Sequence, residues 1–269
     1  MFSLVLAGCG NMGSALLDGW LKAGLVKQAC VAQPGSRNRE KYAADPRVRW
    51  YPGLSSLPLD TPVDAVILAV KPQILDSVLP ACRPFADKGI PVLSVAAGKT
   101  LRWLEERLGE KAPVVRAMPN LAATVGLSAT VACASAAVTQ AQRDLCRRLL
   151  EAVGTVHWIT DESLMDAVTA LSGSGPAWVF LLAETLTQAG TWLGLAPDLA
   201  EALARQTIIG AGELLRQSGE PAQALREKVT SPQGTTAAGL QVLMKEEALQ
   251  TLFDRALEAA AHRAGELSS

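Results

Sequence analysis

Two histidines and five cysteines in 269 residues leave little metal-ligating chemistry. His157 and His262 stand far apart, so no His-rich cluster can be built. Cys9, Cys30, Cys82, Cys133 and Cys146 are odd in number, scattered and never spaced C-x-x-C. That argues against a disulfide framework and a zinc site, and favours reduced thiols in a cytoplasmic protein. Positive charge is missing from the start: no Lys or Arg precedes Lys22, and only eight residues precede Cys9. A lipoprotein signal needs a cationic start and an apolar stretch of roughly 7–15 residues, so "LAGC" does not read as one. Positive charge is missing again between Arg148 and Arg205, and "WVFLLAETLTQAGTWLGL" (178–195) is nearly long enough to span a bilayer. Glu184 and Gln188 lie within it, and a carboxylate at mid-bilayer is costly, so the stretch reads as a buried or subunit-interface helix. A net charge of −1 gives no reason to expect nucleic acid or an acidic membrane as partner.

Charge is nevertheless uneven. Residues 1–160 hold 18 Lys and Arg against 12 Asp and Glu, and residues 161–269 hold 7 against 14, which places a polyanionic ligand in the first part. That part alternates strand-like and helix-like runs. "SLVLAG" (3–8), "CVA" (30–32), "VRWY" (48–51), "DAVILAV" (64–70), "PVLSVAA" (91–97), "PVVRAM" (113–118) and "TVHWI" (155–159) read as strands. Helices are expected over Asn11–Lys22, closed by Gly24, and around 36–44, 73–86 and 100–108. A further helix starts at a capping box of Thr139 and Gln142. Apolar runs such as "AVILAV" indicate strands buried on both faces, hence a doubly wound parallel α/β domain. From Asp161 onward the chain is Ala/Leu-rich and helix-like, broken at Gly173–Pro176, Pro197, Gly219–Pro221 and Ser231–Gly234. The expected division is 1–160 and 161–269, the second part all helical.

Gly8, Gly10 and Gly13 form G-x-G-x-x-G between the first strand and first helix. The first glycine permits the turn, the second lets backbone approach a pyrophosphate, and the third brings helix against strand. Cys9 sits inside this turn as a small spacer, with Asn11 and Met12 beside it. About twenty residues on, where an NAD site places a carboxylate on the ribose, the chain reads Gln33-Pro34-Gly35, followed by Ser36, Arg37 and Arg39. A hydroxyl and arginines without a carboxylate favour NADP over NAD. Ala69, Val70, Lys71 and Pro72, and then Ala96, Ala97 and Gly98, follow strands at the ligand-binding edge; Lys71 reads equally as a contact or as solvated.

No Tyr-x-x-x-Lys pair is present and neither histidine has a catalytic setting, so the usual carbonyl-reductase equipment is missing. An imine, whose nitrogen can arrive protonated, is permitted by these absences without being required. In the helical part "LSGSGPAW" (171–178) puts Ser174 and Gly175 before a helix expected to start at Pro176, and in "VTSPQGTTAAG" (229–239) Ser231–Gly234 precede a helix opened by Thr235 and Thr236. Two helix N-termini suit a small acid, or are ordinary capping.

"GCGNMG", "AVKPQ", "SVAAG", "RAMPN", "DAVTALSGSGPAW" and "VTSPQGTTAAGL", in this order over residues 4–245, resemble the motif set of the pyrroline-5-carboxylate reductase family. The resemblance implies a Rossmann-type doubly wound sheet followed by an all-helical dimerisation domain, with the active site at a subunit interface. It implies reduction of 1-pyrroline-5-carboxylate to L-proline, the last step of proline biosynthesis, with NADPH, or alternatively NADH, by a homodimer or an oligomer of dimers. By similarity, Gly8–Gly13, Ser36, Ala69–Pro72 and Ala96–Gly98 bind the cofactor, with Arg37, Ser56 and Asn120 as further candidates beside them. Thr236 bonds the imine nitrogen, with Thr235 and neighbouring backbone groups holding the carboxylate, and Glu162 lies near the substrate; Ser174, Gly175, Ser231 and Gly234 are the further substrate-binding candidates. The chain departs from the pattern at Leu121–Ala122, Gln33–Pro34, Ser55–Ser56, Lys228 and Gln233, which bears on cofactor preference more than reaction type. The alternatives are a related imine or 2-hydroxy-acid reductase, or a non-catalytic dinucleotide sensor.

Overall fold

The computed structural model describes all residues except Arg37, Leu59 and Ser269. Its chain divides into two units, residues 1–174 with 260–269, and residues 175–259.

The first unit is a sheet of eight strands with helices on both faces. The opening is β1 (Phe2–Ala7), a tight turn and α1 (Asn11–Lys22), with Gly24 in the left-handed region (φ 66°) past the helix end. β2 (Val26–Ala32), β3 (Val48–Tyr51) and β4 (Ala65–Leu68) follow. Next come α2 (Leu75–Ala86), β5 (Val92–Ser94), α3 (Leu101–Leu108), β6 (Val114–Met118), β7 (Ser128–Ala134), α4 (Gln140–Glu151) and β8 (Gly154–Trp158). The order across the sheet is β3-β2-β1-β4-β5-β6-β7-β8, with every pairing parallel except β6 with β7. A parallel sheet requires crossovers, and burial on both faces explains why all four residues of β4, Ala65 to Leu68, are fully buried. On one face α1 inserts Leu16, Leu17 and Trp20; the Trp20 indole donates to Leu149 O at 2.8 Å, tying α1 to α4. Truncating Trp20 to Ala would cost about 3–5 kcal/mol, the usual range for a large buried side chain. On the other face α2 and α3 bury Leu75, Leu79, Phe85, Leu104 and Leu108.

The expected capping box is formed: Gln142 N–H donates to Thr139 Oγ1 and Thr139 N–H to Gln142 Oε1. One expectation needs correction, and one strand was not expected. The helix expected around 36–44 is only a single turn, Glu40–Tyr42. Asn38 is left-handed (φ 61°), which breaks the helix from within, and the side chains of this segment bond elsewhere, Asn38 to Cys9 O in the turn and Lys41 and Tyr42 to Asp18 on α1. The strand β7 carries no helix- or strand-like pattern of large residues. Its inward positions Ser128, Thr130 and Ala132 are small, so β pairing there rests on close packing rather than on apolar bulk.

Past residue 160, α5 (Met165–Val168) runs into a π turn over Thr169–Gly173. The second unit then comprises α6 (Gly175–Trp192), α7 (Pro197–Ser218), α8 (Ala222–Lys228), α9 (Thr235–Met244) and most of α10 (Ala248–Ser268), whose residues from Ala260 group with the first unit. Pro197 opens α7 and Gly219 (φ 66°) ends it, as their punctuation suggests. Few side chains of the second unit are buried. Phe180, Leu181, Leu182, Trp192, Ile209, Leu214, Val242 and Phe253 are all exposed, so α6, α7, α9 and α10 carry apolar faces without a covering layer. Among the described residues no helix is long and apolar enough to cross a membrane.

Candidate dinucleotide and substrate sites

The C-terminal ends of β1, β4, β5 and β6 share one edge of the sheet, because their pairings are parallel, and the order reverses between β1 and β4. That switch point is where open α/β sheets bind ligands. Gly8, Gly10 and Gly13 form the turn there, each for a different reason. Gly8 is left-handed (φ 88°), and a Cβ on it would lie 2.7 Å from Ala69 O. A Cβ on Gly13 would lie 2.2 Å from Gly8 O. Around Gly10, by contrast, a Cβ would meet nothing within 4 Å: the space is open. Gly10 is also the N-cap of α1 without a side-chain cap, and no acidic residue lies in the first turn. An anion fits this cradle, since the helix end presents N–H donors and a positive dipole.

Ala69 and Val70 stand against Gly8, and Lys71, extended before Pro72, is exposed. Gly98 (φ 72°) is pressed by Leu267, whose carbonyl would lie 2.8 Å from a Cβ there, while Ala96 is buried and Ala97 exposed. Ser36 and Ser56 are exposed on the loops after β2 and β3. Arg37 lies outside the described residues. Cys9 is fully buried, with its thiol pushed up to about 11, first by burial, then by Asp18, against the opposing pull of Lys41. Both of its backbone polar groups are already engaged: the N–H by Gln33 Oε1 (2.8 Å), the carbonyl by Asn38 Nδ2 (2.7 Å). Asn11, Met12 and Asn120 line one cavity of about 230 Å³ together with Leu121 and Gly173. The Asn120 amide is spent internally, donating to Ser172 O (3.0 Å) and accepting from Ala122 N–H (3.1 Å).

Glu162 is engaged as well. Its Oε1 accepts from Arg116 Nη1 at 2.7 Å and from Leu101 N–H, at the start of α3, at 2.8 Å. The pair is enclosed: the Arg116 side chain is 6% exposed and Glu162 25%. Ser174 keeps helical angles and its N–H bonds Thr169 O at 2.9 Å. The expected clean helix start at Pro176 is therefore replaced by a π turn leading into a helix that begins at Gly175, because helical backbone persists through the serine-glycine stretch. The other terminus is as expected. Gln233 is left-handed (φ 59°), Gly234 N–H bonds Ser231 O at 3.1 Å, and α9 starts at Thr235 with no side-chain cap and no acid in its first turn. Thr235 and Thr236 are exposed there.

A family model described as pyrroline-5-carboxylate reductase dimerisation matches residues 162–267, and one described as NADP oxidoreductase, coenzyme F420-dependent, matches residues 3–98. The pyrroline-5-carboxylate reductase of Pseudomonas aeruginosa is 38% identical over 267 residues, which is 98% of this chain and 96% of that protein. The chain belongs to the pyrroline-5-carboxylate reductase family. The Mycobacterium leprae pyrroline-5-carboxylate reductase is 39% identical, covering 99% of this chain and 97% of that one. Among solved structures, a pyrroline-5-carboxylate reductase from Coxiella burnetii superposes with a TM-score of 0.93 at 34% identity, covering 100% and 99% of the two chains. A Plasmodium falciparum pyrroline carboxylate reductase with NADP bound gives 0.82 at 31%, covering 100% and 98%. In this pyrroline-5-carboxylate reductase family member the fold is thus a Rossmann-type sheet followed by a helical dimerisation region.

Sequence reasoning missed Asn38 and Arg116, and it read Gln33 without its bond to Cys9. Gln33 is noticeable only as an amide where a carboxylate is usual, Asn38 only as a residue tolerant of left-handed backbone. Arg116 had a clearer signal, a single cation inside the apolar run "PVVRAM".

Proposed function

We propose that this chain catalyses the NADPH-dependent reduction of 1-pyrroline-5-carboxylate to L-proline. The observation that carries this reading is the coexistence, in one member of the family, of an open phosphate cradle at Gly10 and an uncapped α9 terminus bearing two threonines. NADPH, when bound, supplies the hydride. The first turn of α1 from Gly10 to Gly13 holds the pyrophosphate, and Ser36 and Arg37 take the 2′-phosphate. Ala69, Val70 and Pro72, with Ala96–Gly98, offer compact side chains along the strand ends, Lys71 lies beside them, and Ser56 and Asn120 stand at the margins. Thr236 Oγ1 hydrogen-bonds the imine nitrogen and keeps it oriented. Ser231, Gly234 and Thr235, with Ser174 and Gly175, hold the carboxylate by N–H and hydroxyl donors. Rate then comes from positioning and from charge complementarity rather than from a dedicated acid.

In this reading residues 1–160 are the cofactor domain and 161–269 the dimerisation and substrate domain of a homodimer in the cytoplasm. Exposure of Phe180, Leu182, Ile209 and Phe253 on one chain supports the pairing. The experiment is loss of NADPH absorbance with 1-pyrroline-5-carboxylate, run beside a six-membered imine acid and beside NADH. Rapid oxidation with the five-membered imine is expected; NADPH binding without turnover on either imine would overturn the assignment. Thr236→Ala should lower kcat on the order of a hundredfold while leaving NADPH affinity unchanged, the scale for loss of one oriented donor at the reacting group.

A further inference from the structure

Two amide side chains close on a single residue of the phosphate turn. Gln33 Oε1 accepts from Cys9 N–H at 2.8 Å, and Asn38 Nδ2 donates to Cys9 O at 2.7 Å. Gln33 is itself fully held. Its N–H bonds Tyr51 O (3.0 Å), its carbonyl accepts from the Trp50 indole (3.1 Å), and its Nε2 donates to Pro34 O (3.1 Å). Asn38 sits at φ 61°, a conformation that asparagine tolerates. Further along the same loop, Tyr42 donates to Asp18 Oδ1 at 3.0 Å and Lys41 pairs with Asp18, both onto α1. Ser36 therefore rides on a loop that is fastened to the phosphate turn on one side and to its helix on the other.

We propose that Gln33 and Asn38 are positioning residues that set preference for a 2′-phosphorylated dinucleotide, by holding the 2′-phosphate loop and the pyrophosphate turn at fixed separation. The inference rests on the NADP reading above. NADP carries two anionic groups joined by a stiff nucleoside, so a receptor with both subsites already spaced loses less entropy on binding. NAD has only the pyrophosphate to place and gains less from the spacing. Gln33 contributes twice: its oxygen is turned to Cys9, and its neutral amide leaves no charge to repel a phosphate at the end of β2. Neither residue needs to touch the ligand.

The test is a tryptophan-fluorescence titration of the full chain with NADP⁺, NAD⁺ and adenosine 2′,5′-bisphosphate; Trp50, bonded to Gln33, is a built-in reporter. Asn38→Gly keeps the left-handed backbone accessible and removes the amide. Gln33→Glu keeps the acceptor for Cys9 and adds a charge. In Asn38→Gly, affinity for NADP⁺ and the bisphosphate should fall on the order of tenfold, the effect of one lost hydrogen bond, with NAD⁺ changed much less. In Gln33→Glu, both 2′-phosphorylated ligands should weaken while NAD⁺ holds or improves. An unchanged NADP⁺/NAD⁺ ratio in either variant, with the parent chain binding NADP⁺, overturns the proposal. A parent chain that binds neither dinucleotide removes the cofactor reading and this inference with it.

Discussion

Glu162→Ala is the substitution whose cost follows most directly from the structure. It leaves the Arg116 guanidinium, 6% exposed, without its carboxylate, and it strips the acceptor from Leu101 N–H at the start of α3. Breaking a buried ion pair by removing one partner costs about 3–5 kcal/mol; the 25% exposure of Glu162 admits some water and argues for about 2–3. The lost helix-terminal acceptor adds about 1 kcal/mol. A total of about 3–4 kcal/mol, at roughly 2–4 °C per kcal/mol for a domain of this size, lowers Tm by about 10 °C. Glu162→Gln, which still offers an oxygen to Leu101, should lose about half as much. The double variant Arg116→Met, Glu162→Leu should regain most of it, because no charge is then left buried alone. Differential scanning calorimetry at a fixed protein concentration reads all three. A fall of less than about 2 °C in Glu162→Ala would refute the claim that Arg116 depends on this partner.

Gly10→Ala should fold like the parent, since a Cβ there meets nothing, yet lose dinucleotide binding; Gly13→Ala, whose Cβ would sit 2.2 Å from Gly8 O, should unfold. Circular dichroism with a binding titration separates the two, and tight NADP⁺ binding by Gly10→Ala would disprove the cradle. All five cysteines are buried, and burial pushes the thiols of Cys82, Cys133 and Cys146 up to about 12, so the native chain should be inert to a chromogenic disulfide reagent at pH 8 and release five equivalents once denatured. Fast native labelling would contradict the buried assignment. Glu105 is raised above the usual carboxylate range, first by burial and then by Glu162. A carboxylate raised in the folded state destabilises it above that raised value and ceases to as pH falls below the ordinary one. Glu105→Gln should therefore raise Tm at pH 7 and lose that advantage in acid; an advantage independent of pH would exclude this cause.

Much of the sheet was legible because its signals are local. A strand with Val5 and Leu6, three glycines and helical spacing from Met12 to Trp20 define β1, the turn and α1 from adjacent residues. Thr139 and Gln142 announce α4 in the same way. What was not legible depends on partners far along the chain. β7 owes its place to pairing with β6 and β8, which Ser128, Thr130 and Ala132 do not advertise. The segment 36–44 has helix-compatible composition, but Asn38, Lys41 and Tyr42 are recruited by Cys9 and Asp18, and those bonds outweigh local propensity. Glu162 stood out as an acid near the substrate by resemblance, whereas its bonds to Arg116 and Leu101 join residues distant in the chain. The α9 terminus was readable from "SPQGTT" alone, since a turn followed by threonines is itself the structure.

The bare apolar sides of α6, α7, α9 and α10 make stability a property of the solution as well as of the sequence. If those sides are covered by a second copy, melting becomes a bimolecular event and Tm climbs with the logarithm of protein concentration. Dilution would then act as a denaturant, and a newly made chain would spend its first moments exposed to whatever other greasy surface it meets. Hydrophobic side chains that specify the assembly are, until assembly, the chain's chief hazard.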